Sequence, residues 1–196
     1  MRKAFHQVAW LGMVALTATP MLALAENPAA FELKLDIDQD GETDRAVIMQ
    51  EPGGPASLYI YLGEEKQDPS RKPDLLRKVL TEDRVIDLQS NGKGSLAITS
   101  CFGCGASRST EETVTIVYRK GRFLVGGYSR SWDWNQQTSS GVETTLGGCD
   151  INYLTGKGTV SKDLEAAKPI NRRFKPISLK DWSSSSRPRA CTFGAG

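Results

Sequence analysis

The residues with the clearest chemistry are Asp36, Asp38, Asp40 and Asp44 in the stretch DIDQDGETD. An acid stands at every second position, then Gly41, then one more acid. Like charges this close repel one another, and a bound cation would offset the repulsion. A hard cation such as Ca²⁺ takes roughly six to eight oxygens at roughly 2.3–2.6 Å, and short carboxylates at alternating positions of a tight turn can converge on it. Counted from Asp36, the side-chain ligands fall at the first, third, fifth and ninth positions. Glu42, at the seventh, offers its backbone carbonyl, and Gly41, at the sixth, lets the backbone bend sharply. The competing reading is a solvated acidic turn, because Asp and Gly favour turns without any metal. The shared register of the four acids favours the ion, and Ca²⁺ is the expected cofactor, in a structural role.

The elements that must hold this loop are strands. Phe31, Leu33, Leu35 and Ile37 alternate with polar residues before it, and Ala46 to Met49 is apolar behind it. Helices would flank an EF-hand, and its twelfth position would be a bidentate Glu, where this chain has Val47. The string Asp36-x-Asp38-x-Asp40-Gly41-x-x-Asp44, followed by an apolar strand, instead resembles the strand-flanked calcium loops of FG-GAP-type repeats. Such loops occur in integrin-like propellers and in VCBS-type secreted bacterial proteins. The resemblance implies calcium ligation by Asp36, Asp38, Asp40 and Asp44, with the Glu42 carbonyl. The motif occurs once, and one copy cannot close a propeller ring. The chain therefore looks more like single-copy periplasmic proteins that carry this loop near the mature N-terminus, and these supply no activity to carry over.

Cys101, Cys104, Cys149 and Cys191 are an even set. In an exported chain this reads as two disulfides, with three pairings open. Cys101–Cys104 with Cys149–Cys191 is the expected one. A thiol-redox pair at Cys101-Phe-Gly-Cys104 is an alternative, but the residues that follow do not read as the helix that depresses such a thiol pKa. A four-cysteine zinc site would need a second CxxC.

Tyr128, Trp132 and Trp134 cluster in GGYSRSWDWNQQ. On an extended segment Trp132 and Trp134 share a face. They are a possible ligand surface for a sugar or a peptide, although a lid over the core is the more ordinary use. The acid pairs Glu64-Glu65, Glu82-Asp83 and Glu111-Glu112 could supply two carboxylates for glycoside chemistry.

Around these sites the chain reads as strand after strand. Leu58 to Leu62, Val85 to Leu88, Leu96 to Thr99, Thr113 to Tyr118, Phe123 to Tyr128 and Ile151 to Leu154 are β-prone. Asn91-Gly92, Lys120-Gly121 and Thr155-Gly156 offer hairpin turns. Short helices are expected over Asp74 to Leu80 and Lys162 to Lys168. Glu64 to Pro73 and Asn135 to Gly141 read as polar loops. The fold class is mainly β, an antiparallel sandwich or open barrel with one or two short helices.

Residues 1–25 have the form of a signal peptide: Arg2 and Lys3, an apolar stretch from Val8 to Leu24, and the small-x-small end Ala23-Leu24-Ala25. Residues 26–182 then form one β-rich domain, and residues 183–196 a flexible tail. No later stretch is apolar for the ~20 residues a spanning helix needs. Cleavage after Ala25 removes two basic residues and no acids, leaving 23 basic against 23 acidic. The balance gives no reason to expect nucleic acid as a partner. It also removes His6, the sole histidine, which excludes histidine-based triads and histidine-ligated zinc. The expected function is that of an exported, periplasmic or secreted protein with a structural calcium loop, acting as a binding or interaction module at the cell envelope. An envelope protein or glycan is the expected partner. The alternatives are a carboxylate-based hydrolase on envelope carbohydrate and a thiol-redox protein.

Overall fold

The computed structural model describes residues 29–192 apart from 65, 67, 69 and 164. The signal-peptide reading therefore lies outside the described residues. β1 (Ala29–Leu35), β2 (Asp44–Gln50), β3 (Ala56–Tyr61) and β4 (Leu75–Thr81) form one antiparallel meander in chain order. Only Glu82 and Asp83 separate it from the second sheet. That sheet contains β5 (Arg84–Ser90), β6 (Ser95–Phe102), β7 (Arg108–Arg119), β8 (Arg122–Thr138), β9 (Gly141–Asn152), β10 (Lys157–Lys162) and β11 (Lys168–Pro169). β12 (Ile177–Ser178) pairs with Val125 and Leu124 of β8, beyond the point where β9 ends opposite Gly127.

Period-2 alternation makes one face of each sheet apolar, and the two faces meet in a single core. Ala46 and Ile48 of β2 and Leu58 and Ile60 of β3 join Leu96, Ile98, Ile116, Val125, Tyr128 and Ile151 of the second sheet in that buried cluster. The arrangement is that of a β-sandwich, not a closed barrel. Gln50 ties the sheets at the crossover. Its side-chain amide donates to the carbonyls of Gly54 and Asp83, each at 3.0 Å, and its Oε1 accepts from the Val85 N–H at 2.9 Å.

Three hairpins turn where the sequence placed them. At Lys120 and Gly121 both φ angles are positive, 52° and 72°, as the tight turn between β7 and β8 requires. Other expectations are corrected. Asp74 to Leu80 is no helix: Leu75 to Thr81 is strand β4. The register between β3 and β4 shifts between Ala56 and Leu58, and Val79 within β4 has φ 52°. The resulting bulge buries Leu75 and Leu80 and leaves Leu76 and Val79 exposed. A bulge displaces the alternation by one residue, so it imitates helical spacing in the sequence. Lys162 to Lys168 is also no helix, since it ends β10, turns at Asp163 and begins β11. Asn135 to Gly141 is not a loop. It carries β8 and β9 out as a two-stranded arm that turns at Ser139 and Ser140.

Among the described residues the helical turns are short 3₁₀ pieces at Ser184–Ser186 and Arg189–Cys191. They belong to the segment read as a flexible tail, and its described part, 183–192, packs down. Cys191 is fully buried and lies at bonding distance from Cys149. Arg187 pairs with Glu112 at 2.7 Å and with Asp83 at 3.6 Å. Cys101 and Cys104 form the second disulfide, and none of the four cysteines is free. Such pairs fit an extracellular or periplasmic compartment. No helix among the described residues is long and apolar enough to cross a membrane.

Candidate metal centre

The acidic loop spans the turn from β1 to β2. The two strands pair up to Leu35 opposite Asp44, so the loop is closed at its base. The alternation continues one step past β1: Ile37 is fully buried in the core, while Asp36 and Asp38 turn outward, partly exposed. Gln39 and Gly41 have φ of 65° and 92° and reverse the chain. The carboxylates organise the reversal. Asp36 accepts from the N–H groups of Asp40 at 3.2 Å and Gly41 at 3.1 Å, Asp38 from that of Asp40 at 3.2 Å, and Asp40 from that of Glu42 at 2.8 Å.

This wrapping brings one carboxylate oxygen each of Asp36, Asp38 and Asp40 within 4.8 Å of one another. Two oxygens on opposite sides of a calcium ion stand roughly 5 Å apart, so three such oxygens fit a common centre. Burial raises the Asp38 pKa above the ordinary Asp value, and the negative charges of Asp44 and Asp40 raise it further. The N–H of Asp40 works against both. Neighbouring carboxylate charge is thus one part of what disfavours the ionised Asp38, and a cation would offset that part.

Asp44 does something different. It is fully buried, and its two oxygens accept from the N–H groups of Ile37 at 2.7 Å and Gly63 at 2.8 Å. It is the post to which both the loop and the β3–β4 connection are tied. It stands outside the three-carboxylate cluster while contributing to its field. Glu42 is exposed, and its side chain lies against Gly63, where an added Cβ would stand 2.6 Å from its Oε2. Beside this post is an ion-pair network that sequence reasoning missed. Arg45, 4% exposed, donates to Glu64 Oε1 through Nη2 at 2.6 Å and Nε at 3.1 Å, and its guanidinium lies 4.4 Å from the Tyr61 ring centre. Arg71 reaches the other Glu64 oxygen at 3.5 Å and Asp74 at 3.1 Å. The loop also touches the second sheet, where Gln39 donates to the Lys93 carbonyl at 3.0 Å.

The other candidates do not assemble into a site. Tyr128 is buried against Trp182, with ring centres 5.6 Å apart, and Trp132 is 7% exposed over Gly147. The reading of Tyr128 and Trp132 as a ligand surface is corrected: both face inward from β8. Trp134 is half-buried, with the Arg108 guanidinium 5.0 Å from its ring. Of the carboxylate pairs, Glu64 is held by Arg45 and Arg71, and Glu112 by Arg130 and Arg187. Glu111 is exposed on the opposite face of β7 from buried Glu112. The Cys101–Cys104 disulfide lies in the turn between β6 and β7, and a strand follows it rather than a helix.

The chain matches no family model, no curated protein and no solved structure.

Proposed function

We propose that this is an exported β-sandwich protein whose acidic loop binds Ca²⁺ as a structural clip, and that it acts by binding a partner at the cell envelope rather than by catalysis. The observation that carries the metal reading is the convergence of Asp36, Asp38 and Asp40 within 4.8 Å on a strand-flanked turn. The kinship with FG-GAP and VCBS-like calcium loops, and the Glu42 carbonyl as a further ligand, belong to the same proposal. The signal peptide ending at Ala25 and the two disulfides support export. The ion neutralises the loop and fastens β1 to β2, and it supplies no reaction step.

Extracellular calcium modules bind with Kd on the order of 10⁻⁴–10⁻³ M. At about 1 mM calcium the linked stabilisation is then ~0.4–1.4 kcal/mol. Thermal melts of the mature protein in calcium and in chelator test this. A higher midpoint in calcium is expected, with a smaller rise in magnesium, which demands stricter octahedral geometry. Equal midpoints in calcium and chelator would end the metal reading.

A further inference from the structure

Between the turn that follows β9 and the packed C-terminal segment lies a groove of about 420 Å³ whose charged lining is all basic. Its floor includes Phe174, which is buried and meets Tyr153 edge-on with ring centres 6.1 Å apart. Phe174 also donates its N–H to the Gly156 carbonyl at 3.2 Å. With Phe174 so anchored, its neighbours Arg172, Arg173 and Lys175 are presented at the surface, all exposed. Arg189 faces them from the C-terminal segment, also exposed. These four form no ion pair among the described residues, whereas Arg187 on the same wall is already held by Asp83 and Glu112. No carboxylate lines the groove.

A second observation is independent of charge. Tyr153 forms part of the groove wall and is 3% exposed, yet its hydroxyl makes no hydrogen bond. A buried hydroxyl without a partner is costly; closed off from solvent as it stands, it would donate to an anionic oxygen once the wall opened around a seated ligand. Guanidinium groups match phosphate oxygens through paired, parallel N–H donors.

We infer that this groove is a binding site for a compact phosphate-bearing ligand, a diphosphate or phosphate monoester held by Arg172, Arg173, Lys175 and Arg189 with the Tyr153 hydroxyl. The site shares no residue with the acidic loop and does not depend on calcium. Its ligand is a free phosphorylated compound or a phosphate headgroup of a lipid, which present the same chemistry.

Calorimetric titration of the mature protein with pyrophosphate at low ionic strength tests it. Saturable binding is expected, weakening as salt is raised. R172Q/R173Q should lower affinity by about tenfold or more, and Y153F by a smaller factor. K180Q changes an exposed lysine outside the groove and should leave affinity unchanged. Absence of saturable binding overturns the inference, as does equal affinity in R172Q/R173Q or an equal loss in K180Q. Vesicles containing phosphatidic acid separate the sources. Binding that pyrophosphate competes away identifies a headgroup, and pyrophosphate binding without vesicle binding identifies a free compound. Vesicle binding that pyrophosphate does not displace would overturn the compact-ligand assignment in favour of a merely charged surface.

Discussion

Asp36, Asp38, Asp40 and Asp44 look equivalent in the sequence, and the structure divides them by partner. Three carboxylates gather at the turn while Asp44, fully buried, is spent on two backbone N–H groups. D44A should therefore destabilise the protein by about 3 kcal/mol whether or not calcium is present, because it strands those donors. D38N should behave oppositely. It removes a charge whose protonation the loop already favours, so in chelator its midpoint should match or exceed that of the parent. In calcium the midpoint should no longer rise. Melts of both variants in the two buffers give the comparison. The phenols are a separate case at this scale. Burial pushes Tyr153 up to about 12, and it raises Tyr128 further, with Glu112 adding to the effect. An unfolded tyrosine ionises near 10, so above that pH the native state retains protons that the unfolded chain releases. Stability must then fall as pH rises from about 10 toward 12. Denaturant midpoints from pH 8 upward should show that decline, and Y153F should make it shallower.

At the scale of elements, the strands and the Lys120-Gly121 turn are plain in the sequence because alternation and turn chemistry are local. Bulges are not. The extra residue at Gly126 shifts the β7–β8 register and lets Val125 and Tyr128 both face inward, three positions apart. The bulge at Val79 gives β4 the spacing of a helix. Neither can be seen without the partner strand that absorbs the extra residue. The glycines of β9 show the same dependence. Gly147 sits opposite Trp132, whose ring would lie 2.3 Å from an added Cβ. G147A should cost ~1–3 kcal/mol by overpacking, read as a lower denaturation midpoint, with Trp132 fluorescence shifted as the indole is displaced.

Across the whole molecule, the Cys149–Cys191 bond joins the sheet to the C-terminal segment over a sequence separation of 42. Loop-closure entropy puts its removal at about 4 kcal/mol. C191S should lose roughly that in denaturant unfolding, and residues 183–192 should become more open to proteases, since the Arg187 ion pairs and the Arg130 hydrogen bond to the residue-191 carbonyl then hold them without a covalent tie. The serine- and arginine-rich composition of this segment reads as a tail because composition reports only what a segment buries by itself. Cys191 and Arg187 find their partners on other elements, Cys149 and Glu112.

From its sequence alone this chain declared a mainly β fold and one acidic turn with ligand spacing, because each of these is written in neighbouring residues, while its even set of four cysteines declared two disulfides and left their pairing open. The tertiary structure decided which carboxylates gather, that Tyr128 and Trp132 are buried while Trp134 is only half-buried, that Arg45 meets Glu64, and that basic residues on two segments share one groove. Those outcomes depend on strand register and on contacts between residues far apart in the chain, and only the folded packing of the two sheets sets them.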